Sequence, residues 1–164
     1  MKKLLALLFI ALPLAIGFTS CNDDDDLPDV SMGITVEKAR VLNDTIFVVQ
    51  GDSIEIASID IRNNESGKGA IVTQAEYLFA GISYLTPVAP FAWRLATSAD
   101  PNDFYYIPTG NYPLVIRCNI AAEDKSLAFG IMEFNVHIVA SADDIPADAK
   151  GGTVPMTNAY VAKQ

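Results

Sequence analysis

Few residues in this 164-residue chain are suited to polar catalysis, with one histidine and two cysteines in all. A serine- or cysteine-based nucleophilic site normally needs a histidine beside the nucleophile. His137 lies in a segment of alternating apolar and polar residues, with no Ser or Cys nucleophile at a recognisable spacing, and reads as an exposed strand residue. Cys21 and Cys118 stand far apart, and no CxxC or Cys/His cluster offers a zinc or haem site, so no metal and no cofactor are expected. Basic residues are also scarce: 11 Lys and Arg face 20 Asp and Glu, a formal charge of −9, which argues against a nucleic-acid partner. The acidic groups Asp23–Asp26, Asp100/Asp103 and Asp143/Asp144 lack the alternating pattern of a dedicated calcium loop. Helical periodicity of useful length is missing beyond residue 16.

The first twenty residues have a different character. Met1-Lys2-Lys3 supplies a short positive start, and Leu4 to Ile16 is nearly all Leu, Ala, Ile and Phe. That stretch has the length of a signal-peptide core and is short for a membrane span. It ends in Gly17-Phe18-Thr19-Ser20-Cys21, which resembles the lipobox of bacterial lipoproteins, with Phe18 in place of the usual Leu. The resemblance implies cleavage after Ser20 and acylation of Cys21, with two or three acyl chains giving stable membrane attachment where one would not. Asn22-Asp23-Asp24-Asp25-Asp26 follows, a run that repels itself and reads as a solvated tether. It also resembles the acidic export signal of surface lipoproteins in Bacteroidetes-type bacteria, which implies an outer-membrane, surface-exposed location. Loss of residues 1–20 removes Lys2, Lys3 and no acid, leaving nine bases, twenty acids and a charge of −11.

The body reads as short strands. Thr45–Val49 is a β-branched apolar run, and Gly51-Asp52 is a turn. Ile54 and Ile56, then Ile59 and Ile61, alternate with a slip of phase at Ala57-Ser58, the mark of a β-bulge. Ala75, Tyr77 and Phe79 share one face of a further strand. Phe91, Trp93 and Leu95 share another, which places Trp93 in the core. Leu114, Ile116, Cys118 and Ile120, and then Met132, Phe134, Val136 and Ile138, complete the series, with Pro and Gly between runs. Cys118 falls on the apolar phase as a small buried hydrophobe. Glu55, Glu76 and Glu133 fall on the opposite phase and read as solvated. Such spacing predicts an all-β, antiparallel sandwich or barrel.

A second resemblance covers about residues 72–139. Ala75-Glu76-Tyr77-Leu78-Phe79-Ala80-Gly81, then Ala89-Pro90-Phe91-Ala92-Trp93, then Pro108-Thr109-Gly110-Asn111-Tyr112-Pro113-Leu114-Val115-Ile116 are similar, in that order, to segments of bacterial immunoglobulin-like modules. Ala80 departs from the pattern, since the family often has Asp before the Gly. The resemblance implies an immunoglobulin-like antiparallel β-sandwich over residues 32–140. It would follow a signal peptide (1–20) and a tether (21–31), and precede a polar tail (141–164) in which Val154–Val161 can add an edge strand. A different sandwich or a lipocalin-like barrel fits the same alternation. Tyr112, after the Gly110 turn, has the position of a tyrosine corner, although Cys118 lies six residues on and not two.

These features favour a non-enzymatic envelope lipoprotein that presents a binding or structural module. The rivals are a glycan-capture accessory lipoprotein of an uptake system and an adhesin or pilus-type subunit. The expected partners are a membrane, through the lipid, and an envelope protein or polysaccharide. The candidate contact is Phe104-Tyr105-Tyr106, an aromatic loop between Pro101 and Pro108. Asp44-Thr45-Ile46 and Asp52-Ser53-Ile54 resemble acceptor tripeptides for O-glycosylation in Bacteroidetes-type exported proteins, which marks Thr45 and Ser53.

Overall fold

The computed structural model describes residues 26–163, except for the side chains of Pro155 and Asn158. These residues form ten strands: β1 Val30–Leu42, β2 Thr45–Val49, β3 Ser53–Asn63, β4 Ala70–Phe79, β5 Ile82–Thr86, β6 Trp93–Ala96, β7 Gly110–Ala122, β8 Ala128–Val139, β9 Lys150–Asn158 and β10 Tyr160–Lys163. Ala142–Asp144 forms a short 3-10 turn after β8. The strands run in the order β5-β4-β7-β8-β2-β1-β3-β6, with β9 added to β1 and β10 to β8. The architecture is all-β, a curled sheet that wraps its inner face into a barrel- or sandwich-like core.

Alternation explains the core. Val30, Met32, Ile34 and Val36 of β1 join Ile54 and Ile56 of β3, Tyr77 and Phe79 of β4, Leu114, Ile116, Cys118 and Ile120 of β7, and Val136 and Ile138 of β8 in one buried cluster. The phase slip in β3 is a bulge: Thr35 pairs with Ser58 and Val36 with Ile56, so Ala57 has no partner on β1. Lys38 takes a left-handed conformation (φ 55°), and there β1 changes partner. Its first half pairs with β3 and its last residues, Arg40–Leu42, pair with β2.

The expectation of a purely antiparallel sheet requires correction, because β2 runs parallel to β8 from Thr45↔Asn135 to Val49↔Val139. β2 has just emerged from the tight β1–β2 turn, which fixes its direction before it meets β8. The N-terminal boundary also moves. Sequence reasoning ends the tether at residue 31, yet Ser126 N donates to the Asp26 carbonyl (3.1 Å), Asn64 N donates to the Asp29 carbonyl (2.9 Å), and β1 begins at Val30. Residues 150–163, expected within a polar tail, form β9 and β10. β2 has only five residues and meets β8 at its last five positions, so β10 takes the earlier stretch, Ala128–Ile131, while β9 lines β1 from Ser31 to Val41.

The end of the molecule beside Asp26 is tied by charge. Glu65 accepts from Lys68 (3.0 Å) and Lys125 (3.3 Å), joining the turn after β3 to the turn after β7. Lys68 and Lys125 hold the Glu65 carboxyl below its ordinary range, and the Glu65 carboxylate in turn raises the Lys68 ammonium above its own.

Candidate functional site

At the opposite end of the sheet, an apolar groove of about 530 Å³ opens between the two terminal strands. β5 supplies Ile82 and Tyr84, and β6 supplies Leu95 and Ala96. The β6–β7 loop supplies Phe104, Tyr105, Tyr106 and Ile107, with Ala80 at the turn. The loop expected to carry a contact therefore lines an apolar concavity. No charged residue and no side-chain amide belongs to the lining; phenol hydroxyls are its polar side-chain groups. The β4–β7 ladder runs from Ala70↔Ala122, near Asp26, to Phe79↔Leu114, near the groove. At about 3.4 Å per residue this separates the two ends by about 30 Å.

The loop is fixed in place by its own polar residues. Asp100 Oδ1 accepts from Asn102 N (2.9 Å), and Asp103 Oδ1 accepts from Tyr105 N (2.9 Å), two Asx turns in succession. Ser98 N donates to the Tyr105 carbonyl (2.9 Å), and Ser98 and Tyr106 form a parallel bridge. The loop base is tied to the β2–β3 turn: Gly51 N donates to Thr97 Oγ1 (3.0 Å), Thr97 Oγ1 donates to the Asp52 carbonyl, and Gln50 Nε2 donates to the Ile107 carbonyl (2.7 Å). Fixed below, the loop holds Phe104 91% exposed and Tyr105 52% exposed. Their rings meet edge to face at 5.3 Å.

Beneath the groove lies an aromatic stack. Trp93 packs against Tyr77 (5.0 Å between ring centres), Tyr84 (5.5 Å) and Phe79 (5.8 Å), so Trp93 is core and Tyr84 joins core to groove. Tyr77 donates its hydroxyl to the Phe91 carbonyl (2.9 Å). Burial pushes the Tyr77 phenol well above its ordinary range, with the nearby Cys118 adding to the effect. Burial likewise pushes the Cys118 thiol up to about 12, which makes it inert. Trp93 Nε1 is buried with no hydrogen-bond partner among the described residues. Tyr112 donates to the Pro108 carbonyl (2.8 Å), the backbone contact of a tyrosine corner.

The other singled-out residues lie elsewhere. Cys21, Asn22 and Asp23–Asp25 fall outside the described residues. Asp26 is bound through its carboxylate to Ser126 Oγ. Thr45, partly buried at the start of β2, donates to Asp44 (3.4 Å). Ser53 Oγ accepts from Arg94 Nε (3.3 Å) and Nη2 (3.2 Å). His137 is half-buried, its ring 5.5 Å from Phe47. Glu55 corrects the expectation of a solvated face, because it is only 8% exposed. Arg94, its cross-strand partner, donates from Nε at 2.9 Å and Lys38, brought over by its left-handed bend, donates from Nζ at 3.0 Å. The two cations fold over the carboxylate and make it a structural ion pair.

Sequence reasoning found the aromatic loop but not Ile82, Tyr84, Leu95 and Ala96. These residues come from strands distant in sequence that flank the loop only in the fold. The one local signal was the uncharged run Ile82–Thr86 directly after Ala80-Gly81. Set beside known protein families, curated proteins and solved structures, the chain matches none.

Proposed function

We propose that this chain is a lipid-anchored binding module of the bacterial envelope, built on an immunoglobulin-like sandwich, that holds a partner in the aromatic groove. The strand order supports the sandwich reading. β5-β4-β7-β8 corresponds to the C′-C-F-G sheet of a variable-type domain, and β1-β3-β6 corresponds to A-B-E, in the same chain order. The Tyr112–Pro108 bond at the start of β7 is the corresponding corner. The B–F disulfide of antibody domains has no counterpart, since Cys118 is free and buried.

The carrying observation is the groove itself: a pinned loop presents Phe104 and Tyr105 to solvent beside Tyr84 and Tyr106, at the end remote from Asp26. Exposed large apolar side chains gathered in one concavity are characteristic of contact surfaces. With Cys21 acylated, that end points away from the membrane. The test replaces Tyr105 and Tyr106 together by Ala and measures binding to detergent-extracted envelope proteins and to a panel of polysaccharides. Loss of a wild-type interaction supports the reading; unchanged binding in the double variant rejects it. A sugar ligand is the second reading, favoured by the exposed faces of Phe104 and Tyr105, on which a pyranose ring can stack.

A further inference from the structure

We propose that the free edge of β5, with the groove beside it, receives an extended segment of another protein as an added strand. This rests on the reading of the chain as a binding module and names the class of its partner.

β5 ends the sheet, with β4 as its one strand partner among the described residues. The β4–β5 hairpin closes through Ala80 (φ 50°) and Gly81 (φ 78°), a two-residue turn flanked by the pair Phe79↔Ile82. In such a hairpin the flanking pair is hydrogen-bonded and the bonding alternates from there. Ile82, Tyr84 and Thr86 therefore bond inward to β4, while the N–H and C=O groups of Ser83 and Leu85 point outward. Only another extended backbone satisfies a row of that kind.

Proteins usually guard such an edge with charge or proline. Ile82-Ser83-Tyr84-Leu85-Thr86 has neither, and Ile82 and Leu85 are 54% and 59% exposed. The other terminal strand is guarded: β6 carries Arg94, and the Ser98–Tyr106 bridge covers its continuation. A strand laid along β5 directs alternate side chains over Ile82, Tyr84, Leu95 and Tyr106, an apolar floor suited to Val, Ile or aromatic residues. A polysaccharide needs many polar partners for its hydroxyls, and the lining supplies few.

Charge sets the rest of the partner. Asp100 and Asp103 stand on the loop at the rim, in no ion pair among the described residues, and residues 97–109 contain no base. With the chain at −9 overall, a segment bearing Lys or Arg at its loop end is favoured, and a second copy of the same acidic chain is disfavoured.

The test selects phage-displayed random short peptides on the full chain carrying Cys21→Ser. The expected peptides alternate apolar residues and end in Lys or Arg. Their binding should fall by about tenfold or more in Leu85→Pro, which deletes an outward N–H. The same loss should follow when the peptide is N-methylated at alternate residues against unaltered protein, an arm that holds even where the proline variant misfolds. Unchanged binding in both arms overturns strand addition. Polysaccharide binding that is lost in Tyr105→Ala/Tyr106→Ala, with no peptide enriched, overturns this inference and leaves the binding module standing. Self-association abolished by Leu85→Pro overturns it in favour of a second copy. No ligand of either kind rejects both.

Discussion

Among single residues, Trp93 is the hub of the aromatic stack. Three aromatic rings surround it, so Trp93→Ala should cost about 3–5 kcal/mol in urea unfolding. Its indole N–H is buried without a partner among the described residues, and Trp93→Phe should therefore cost much less, because it removes an unsatisfied donor together with some contact. A phenylalanine variant as unstable as the alanine one would refute that account. Ala80 shows the converse economy. It sits at φ 50° at the first position of a turn that favours Asn or Asp, and Ala80→Asn should stabilise by about 0.5–1 kcal/mol. Alanine at position 80 thus carries a small conformational penalty. Buried acids set the alkaline limit. Cys118, raised to about 12 from an ordinary 9.0, keeps its proton in the folded state after the unfolded chain has lost it. The stability present below pH 9 therefore declines as pH rises from about 9 towards 12, and Tyr77, raised further by burial, adds to the decline. Urea midpoints between pH 7 and pH 11 should fall, and less steeply in Cys118→Val.

At the scale of the strand, alternation made β3, β4, β7 and β8 legible, including the bulge at Ala57, because each buries one face in a common core, while β2 showed as an apolar run whose Ile46 and Val48 join that core and whose Phe47 joins a second cluster. β1 was not read as a strand, although Val30, Met32, Ile34 and Val36 alternate, because Gly33 and the neighbouring acidic run disguise its start. β9 gives almost no local signal. It contains Gly151-Gly152 and Pro155, and its pairing with β1 is a contact between the two ends of the domain. The groove follows the same rule: the Phe104–Tyr106 loop is local and readable, while β5 and β6 meet it only after the sheet has curled. The close approach of β9 is testable at Gly33. A Cβ there would lie 2.9 Å from the Val154 carbonyl, a backbone atom that moves only with its strand. Gly33→Ala should thus lift β9 from β1 and cost about 1–3 kcal/mol, with amide exchange accelerated at Thr153 and Val154. Normal protection there would show that the strand pair has room to spare.

For the whole molecule, the proposed attachment at Cys21 and the tie at Asp26 set a geometry. Five residue steps span at most about 18 Å, so a lipidated Cys21 keeps the Glu65–Lys68–Lys125 end near the membrane and leaves the aromatic end about 30 Å farther out. Cys21→Ala should release the protein into the soluble fraction, and membrane retention of that variant would reject the anchor. The acidic run needs a more careful experiment, because Asp26 does two things. Its carboxylate and carbonyl both accept from Ser126, which fastens the chain to the β7–β8 turn. Replacing Asp23–Asp26 by Ala removes the proposed surface-export signal and the Asp26 carboxylate contact together. Ser126→Ala separates them, since it takes away the hydroxyl contact and keeps all four acids. If the run directs export, Ser126→Ala cells should remain open to external protease and lose about 1 kcal/mol of stability, while the four-alanine variant becomes protected. Protection in both variants would make the fastening to the turn the cause, and protection in neither would reduce the run to a spacer.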